Sequence, residues 1–437
     1  MPSPAGTSLD FEATAAVAAA VALGAGIFGS QLVHAVESTE GMETSAIADL
    51  ETEKAYTTFR RTGVDEDHVV TASTADDVRE AVESNVRAVV DDGAELADAG
   101  LDAVVEATGN PNVAARNAYR TLLAGTHFVN ATVEADSVCG PLFSRLADRS
   151  GVTYSLASGD QPGQMVALAE WAGAAGFDVV AVGKATTDHD HYGSPEDAIE
   201  RYGIPETFGE GIDPDPTMYN SFTDGTKAAV ETVATANSLG FTVDEGGVNC
   251  PAAPLADLPD LFRPESEGGI LSRTPVVEEV RPPESDPTFS VFVVTHTESS
   301  QLRDYYAQRR NVVSSDDGAY QVFYRPHHFA TETTVSVASA VIDGDATGTP
   351  RDHAAEVVAA AKRDLEPGDE IDGPGGYTIY GDALDADTAA ENEYVPFELL
   401  DGAEVLEPIG RDEYVTADAV AVPNSFLGHL RGVQDGL

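Results

Sequence analysis

The residues Gly24-Ala25-Gly26-Ile27-Phe28-Gly29 constrain this chain more than any other part of it. They form a G-x-G-x-x-G pattern, preceded by small apolar residues 17–23 that predict a buried strand and followed by residues 31–37 that predict a helix. Glycines there permit a tight strand-to-helix turn, and the helix N-terminus then aims backbone N–H groups at an anion. Residues 44–48 predict a second strand, and Asp49 follows it, twenty residues past Gly29. An acid at that distance is placed to meet ribose hydroxyls, so strand, glycines, helix, strand and acid together predict a dinucleotide-binding α/β unit.

The alternation continues. Residues 76–92 predict an acidic amphipathic helix, 101–105 a buried strand, 113–124 a helix and 127–130 another strand. Strands alternating with helices predict a doubly wound parallel sheet of the Rossmann kind. Ala107, Thr108 and Gly109 follow a strand's carboxyl end, where such sheets bind ligands. From about residue 152 the texture changes: helix 165–176, strand 177–182 ending in Gly183-Lys184, and a turn-rich stretch 188–216. Asp224-Gly225-Thr226-Lys227 opens a further helix, residues 289–296 and 320–324 predict strands, and 331–341 predict a helix. Residues 354–363 predict one more helix, after which short strands and turns run to Leu437. The expected division is 1–151 for the nucleotide-binding domain, 152–350 for an α+β domain, with helix 331–341 returning to the first, and 351–437 for a small β-rich module.

Charge narrows the function classes. The chain has 437 residues, with 24 Lys and Arg against 75 Asp and Glu and a net charge of −51. A nucleic-acid binder needs a basic footprint, and anionic lipid repels this surface, so neither partner is expected. Acid spread along the whole chain, with only Lys54, Lys184, Lys227 and Lys362 as lysines, suits a cytoplasmic protein of a salt-loaded cell. In a chain so poor in lysine, each lysine is a candidate chemical group. Residues 13–33 carry no charge, but the acidic flank of Asp10 and Glu12 and the missing basic residues argue against a membrane span. Cys139 and Cys250 cannot by themselves build a disulfide framework or a zinc site and are expected reduced.

Candidate polar groups follow the nucleotide fold. Glu134 and Asp136 lie just past strand 127–130, Asp160 and Gln161 stand in a loop, and Lys184 closes a strand. Asp224 and Lys227 have the i, i+3 spacing that pairs side chains on one helical face. A lysine beside a carboxylate can move a proton during hydride transfer, and the helix N-terminus should lower the Lys227 pKa. Lys227 and Lys184 are therefore the expected proton-transfer groups, with Asp224 orienting, and Glu134, Asp136, Asp160 and Gln161 binding substrate. Gly24, Gly26, Ile27, Phe28, Gly29, Asp49, Ala107, Thr108 and Gly109 are expected to hold NAD or NADP. Asp49 favours NAD because it would repel a 2′-phosphate, while Arg60 and Arg61 keep NADP open. His189, His191, His327 and His328 read as solvated loop residues, and no protein metal site is predicted. No G-x-S-x-G, P-loop or H-E-x-x-H is present, which removes the commonest hydrolase and NTPase signatures.

Five segments carry a resemblance. Val105-Glu106-Ala107-Thr108-Gly109-Asn110-Pro111, Val133-Glu134-Ala135-Asp136, Gly159-Asp160-Gln161-Pro162, Asn220-Ser221-Phe222-Thr223-Asp224-Gly225-Thr226-Lys227 and Ala361-Lys362-Arg363-Asp364-Leu365 occur in that order. Together the chain resembles the homoserine-dehydrogenase-like oxidoreductases with a C-terminal SAF domain, among them the 1-deoxy-D-xylulose-5-phosphate reductoisomerase-like (DRL) enzymes. The resemblance implies a nicotinamide-binding Rossmann domain, an α+β catalytic and dimerisation domain, an appended SAF module, and a homodimer or homotetramer. Where homoserine dehydrogenases carry an Asn-Lys pair, this chain has Asn130-Ala131-Thr132, so the lysine has to come from Lys184 or Lys227. The expected activity is NAD(P)-dependent oxidation or reduction of a small hydroxy or oxo metabolite, with or without a phosphate group. Two alternatives stand beside it: a DRL-type reductoisomerase acting on a sugar phosphate, with a divalent cation on Glu134 and Asp136, and a non-catalytic nucleotide sensor with the SAF module as output.

If the acidic surface is a salt adaptation, diluting salt should unfold the protein, because unscreened repulsion opposes compaction. Circular dichroism from molar salt down to about 0.1 M, where the screening length has grown severalfold, is expected to show loss of helix signal. Full structure at the low end would refute the adaptation.

Overall fold

A computed structural model describes residues 18–186, 189–202, 215–308, 312–327 and 330–437. In chain order the first part comprises β1 (Ala18–Leu23), α1 (Ile27–Glu37), β2 (Met42–Ala48), α2 (Thr52–Arg61), β3 (Val69–Thr71), α3 (Ala75–Glu83), β4 (Arg87–Val90), β5 (Ala103–Glu106), α4 (Pro111–Ala124), β6 (His127–Asn130), α5 (Val133–Ser150) and β7 (Tyr154–Leu156). The strands form a seven-stranded sheet in the order β3-β4-β2-β1-β5-β6-β7, parallel throughout. β1 lies between β2 and β5, so the strand order reverses there and opens a crevice at the carboxyl edge. Residues 76–92 are not one helix. Asn85 takes a left-handed turn (φ 59°), and the buried Ala88-Val89-Val90 run joins the sheet as β4. A run buried on both faces gains more as an inner parallel strand than as a third helical turn.

The second part comprises α6 (Gln161–Ala174), β8 (Asp178–Ala185), α7 (Pro195–Tyr202), α8 (Pro216–Thr223), α9 (Thr226–Leu239), β9 (Val276–Val280), β10 (Ser290–His296), β11 (Val313–Ser314) and β12 (Tyr320–Pro326). Their five-stranded mixed sheet runs β11-β12-β10-β8-β9. The segment after β12 turns back: Val337 and Ala338 pack with Leu32 and Val33 of α1, and Ser336 Oγ accepts the Ser158 amide at 2.7 Å.

Residues 354–363 form no helix. They supply β13 (Ala355–Ala361), antiparallel to β14 (Ile379–Asp385). Alanine favours helix locally, but all seven side chains of β13 are buried, and packing overrides the propensity. Nor does the C-terminal part stand apart: its apolar residues share one core with α9 and β8, and the helix Phe426–Gln434 lies on α4 and α5. α9 therefore sits in the middle of the molecule, against α5, α6, β13 and β14.

Two buried polar clusters fasten these parts. Lys362 Nζ reaches Asp224 Oδ2 at 2.8 Å and donates to the carbonyls of Gly376 (2.7 Å) and Gly193 (3.2 Å). Asp136, expected in the substrate site, instead lies under the first sheet with no exposure and accepts the Tyr154 hydroxyl at 2.8 Å. Asn130 Nδ2 donates to the same hydroxyl at 3.0 Å. Positions i and i+2 diverge on a helix, so Glu134 and Asp136 do not form the predicted cation pair.

Both clusters give stability tests. Lys362→Met leaves the fully buried Asp224 unpaired and should cost about 3–5 kcal/mol in urea unfolding at fixed high salt; adding Asp224→Asn should restore much of it. Equal stability of single and double variants would refute the clamp. Burial pushes the Asp136 carboxyl from 3.8 up to about 7. A carboxyl raised by folding contributes stability that is full below its unfolded pKa and lost as pH rises through the folded one. Stability should thus fall between about pH 4 and pH 8, and Asp136→Asn should flatten part of that decline. An unchanged slope in the variant would contradict this reading.

Candidate active site

The glycine turn leaves β1 at the crevice. Gly24 has φ +95°, and a Cβ on Gly29 would lie 1.8 Å from the Gly24 carbonyl oxygen, so both positions demand glycine for the turn itself. Gly26 differs: a Cβ there would meet nothing within 4 Å. Its missing side chain leaves open space above the start of α1, which no side chain caps. Ile27 and Phe28 form the first turn of that helix. Asp49 follows β2; its Oδ2 accepts the Ala25 amide at 2.7 Å and its Oδ1 the Glu51 amide at 2.8 Å, which ties the acid to the glycine turn. Arg60 and Arg61 close α2 instead. A helix rises about 1.5 Å per residue, which sets Arg60 about 12 Å beyond the start of α2, and its Nε pairs with Glu66 at 2.7 Å.

Beside the glycine turn, the loop after β5 is built on Glu106. Its Oε1 accepts the Thr108 amide (2.7 Å), the Thr108 hydroxyl (2.5 Å) and the Thr132 hydroxyl (3.2 Å), and its Oε2 accepts Asn117 Nδ2 (2.9 Å). Thr132 also accepts the Gly109 amide at 3.1 Å. Ala107, Thr108 and Gly109 are thereby held at the sheet edge, with the Ala107 carbonyl 2.7 Å from where a Gly24 Cβ would stand. Burial raises the Glu106 carboxyl despite these bonds.

The loops after β6 and β7 bring the polar groups in. Glu134 lies in the first turn of α5, and Asp160 immediately precedes α6, whose first residue is the buried Gln161. Lys227 enters from α9, and its Nζ meets Glu134 Oε1 at 2.5 Å. One turn along α9, Glu231 faces Lys184 of β8 in a second ion pair, this one buried, and Glu279 of β9 stands opposite Lys184 in the parallel register. The result is one charge cluster: Glu134, Lys227, Asp160, Glu231, Lys184 and Glu279.

The predicted Asp224–Lys227 pair does not exist. Asp224 is the residue after α8, Gly225 takes φ +93°, and Lys227 lies in the first turn of α9, so the i, i+3 rule for a single helix does not apply. Asp224 belongs to Lys362. The direction of the Lys227 pKa is also reversed. Burial lowers it, but Glu134, Glu231 and Asp160 together hold it above its ordinary value and outweigh the helix terminus. Lys184 is likewise raised: burial opposes, and Glu231 and Glu279 prevail. Burial, then the charge of Glu231, push Asp160 up to about 7.

His189 and His191 are not solvated. His189 is 13% exposed at its side chain, and His191 Nδ1 lies 2.7 Å from the Asp224 carbonyl while its ring stacks on Tyr380 at 4.4 Å. His328 lies outside the described residues. Glu106, Glu231 and Glu279 are charged residues at this site that the sequence does not single out. Their signal was charge in the wrong company: Glu231 within Ala-Ala-Val-Glu-Thr-Val-Ala, and Glu279 within Val-Val-Glu-Glu-Val.

Among solved structures, one of a DOX-P reductoisomerase in complex with NADPH, fosmidomycin and magnesium is similar at 12% identity with a TM-score of 0.35; the match covers 50% of this chain and 57% of that one. A probable dehydrogenase from Thermotoga maritima shares 14% identity, with 75% and 89% covered and a TM-score of 0.35. The putative oxidoreductase yvaA from Bacillus subtilis shares 12%, with 78% and 93% covered and a TM-score of 0.39. This chain thus spans little more than half the length of the reductoisomerase. No curated protein matches it. Residues 159–332 match the family model described as "Oxidoreductase DRL, catalytic domain". Asp160, Lys184, Lys227, Glu231 and Glu279 all fall within the residues that match this model.

Proposed function

We propose that this protein is an NAD(P)-dependent oxidoreductase acting on a small hydroxy or oxo metabolite without a phosphate group. One observation carries the reading. The glycine turn with open space at Gly26 and the half-buried Lys227–Glu134 pair lie along the carboxyl edge of the same parallel sheet, where such sheets bind ligands. Bound there, the nicotinamide nucleotide supplies or accepts the hydride. Gly24, Gly26, Gly29 and the first turn of α1 at Ile27 and Phe28 would hold its pyrophosphate, Asp49 its adenosine ribose, and Ala107, Thr108 and Gly109 its nicotinamide side. Asp49 favours NAD over NADP, and Arg60 already has its carboxylate partner.

Lys227 works as an acid in this reading, not as a base. Held charged by three carboxylates, its ammonium hydrogen-bonds the substrate oxygen and donates a proton as that oxygen gains electrons. Asp160, half protonated near pH 7, restores the proton, and in the oxidative direction it takes one up. Lys184 fixes Glu231, and Glu134, Asp160 and Gln161 meet substrate hydroxyls. Among the described residues, Glu134, Asp160, Glu231 and Glu279 outnumber Lys184 and Lys227. That balance suits an uncharged or ammonium-bearing substrate, homoserine-like included, and repels a phosphate. The reductoisomerase reaction is the second reading, supported by the family description of residues 159–332. The same proposal takes residues 1–151, 152–350 and 351–437 as nucleotide-binding, catalytic and SAF-like parts of a cytoplasmic, salt-adapted homo-oligomer.

Titrating NADH and NADPH fluorescence in molar salt should show tighter NADH binding, weakened by Gly26→Ala without loss of circular dichroism. With a panel of oxo acids, aldoses and sugar phosphates, Lys227→Met should lower kcat at least about 10²-fold and leave nucleotide affinity nearly unchanged. Turnover within a few-fold of wild type would move the acid role to Lys184, and absence of nucleotide binding would end the proposal.

A further inference from the structure

We propose that His189, Cys250 and Glu279 form a zinc site of the open kind, with three protein ligands and a fourth position for water or a substrate oxygen. The three come from separate parts of the chain: the loop after β8, the connection after α9, and strand β9. Glu279 Oε2 lies 3.7 Å from His189 Nε2 and 3.9 Å from Cys250 Sγ, and the three donor atoms are all within 4.8 Å of one another. Tetrahedral zinc, with bonds of about 2.0–2.1 Å to nitrogen and oxygen and about 2.3 Å to sulfur, separates its ligand atoms by about 3.4–3.6 Å. The observed spacing needs only small side-chain adjustments to close. One imidazole, one thiol and one carboxylate suit zinc and are a poor set for magnesium or calcium, which take oxygen.

The surroundings are built to hold these groups. Cys250 has φ +42°, a left-handed backbone that non-glycine residues seldom take and that persists only where its neighbours enforce it. Those neighbours are identifiable. Arg281 Nε donates to the Cys250 carbonyl at 3.1 Å, and the Arg281 amide donates to the Pro251 carbonyl at 2.9 Å. On the other side, Asn249 donates to the Glu278 carboxylate through its amide at 3.0 Å and its side chain at 2.7 Å. The cysteine is therefore fastened to β9 before and after itself, beside Glu279. Thr232 Oγ1 donates to Glu279 Oε1 at 3.3 Å and leaves Oε2 to face His189 and Cys250. A Cβ on Gly225 would lie 3.1 Å from His189 Nδ1, so glycine there makes room for the imidazole. The Thr186 hydroxyl, 3.1 Å from Nε2, would release that contact to the metal.

Metal binding itself does not depend on the redox proposal. Its use does: Glu279 is the cross-strand neighbour of Lys184, so a zinc-bound oxygen beside the charge cluster would gain a Lewis acid. The full-length protein, stripped with a chelator in high-salt buffer, should take up one equivalent of Co²⁺ with a thiolate-to-cobalt charge-transfer band and intense tetrahedral d–d absorption, and Zn²⁺ should displace it. Cys250→Ser should abolish the charge-transfer band, and His189→Gln should weaken uptake at least about 10-fold. Zinc should also protect Cys250 from alkylation in the wild-type protein, read by peptide mass spectrometry, which decides the matter if a variant fails to fold. A charge-transfer band that survives Cys250→Ser, octahedral cobalt spectra, or unprotected Cys250 would overturn the site. NADH titration of the same samples keeps the two proposals apart: nucleotide binding without metal uptake sinks the zinc site alone.

Discussion

A helix surrounded on every side can carry charge only where each charge meets its opposite. α9 is such a helix. It packs against α5, α6, β13 and β14, nearly all its residues are buried, and its apolar positions are filled by alanine, valine and threonine. Lys227 and Glu231 break that pattern and are compensated at once, Lys227 by Glu134 and Glu231 by Lys184. Desolvation makes an unpaired buried charge cost several kcal/mol, so the helices and strands that supply the partners must hold their positions closely. Parallel sheet, mixed sheet and C-terminal part all meet around this one element, and the candidate chemistry lies where they meet.

The lysines make the same point from composition. Lys54 is half exposed and pairs with Glu51, while Lys184, Lys227 and Lys362 are each turned inward against a carboxylate. In a chain carrying −51 charges, a surface lysine does little for solubility, and a buried one answers a buried acid. Two of these inward pairs belong to the charge cluster. The third, Lys362 with Asp224, binds the C-terminal part to the end of α8 and the loop near Gly193.

The carboxyl edge of the first sheet separates two roles for glycine. Gly29 is excluded from bearing a side chain by the backbone of Gly24, and Gly24 by its own φ. Gly26 is excluded by neither: a Cβ there would meet nothing within 4 Å, and the open space suits the proposed nucleotide. Glu106 completes the edge from beneath, trading the desolvation of one carboxyl for a fixed Ala107–Gly109 turn.

Read alone, the sequence determined what depends on local order: the glycine turn between β1 and α1, the position of Asp49 after β2, the strand His127–Asn130, and the alternation that makes a parallel sheet. Turn geometry and burial periodicity act over a few residues, and each leaves its mark in those residues. Lysine scarcity singled out Lys184 and Lys227 as candidate chemical groups, and each meets a carboxylate far away in the chain. Tertiary structure alone decided the partners. Lys227 pairs across 93 residues with Glu134 rather than with Asp224 three places away, because a left-handed glycine separates two helices that spacing had read as one. β13 is a strand because β14 and α9 bury it, although alanine by itself would coil into a helix. His189, Cys250 and Glu279 share no neighbourhood in the sequence, and only the packing of β8, β9 and their loops brings three donors within reach of one another. Pairing energies depend on distance in space, and a one-dimensional pattern records distance only where the chain is locally regular.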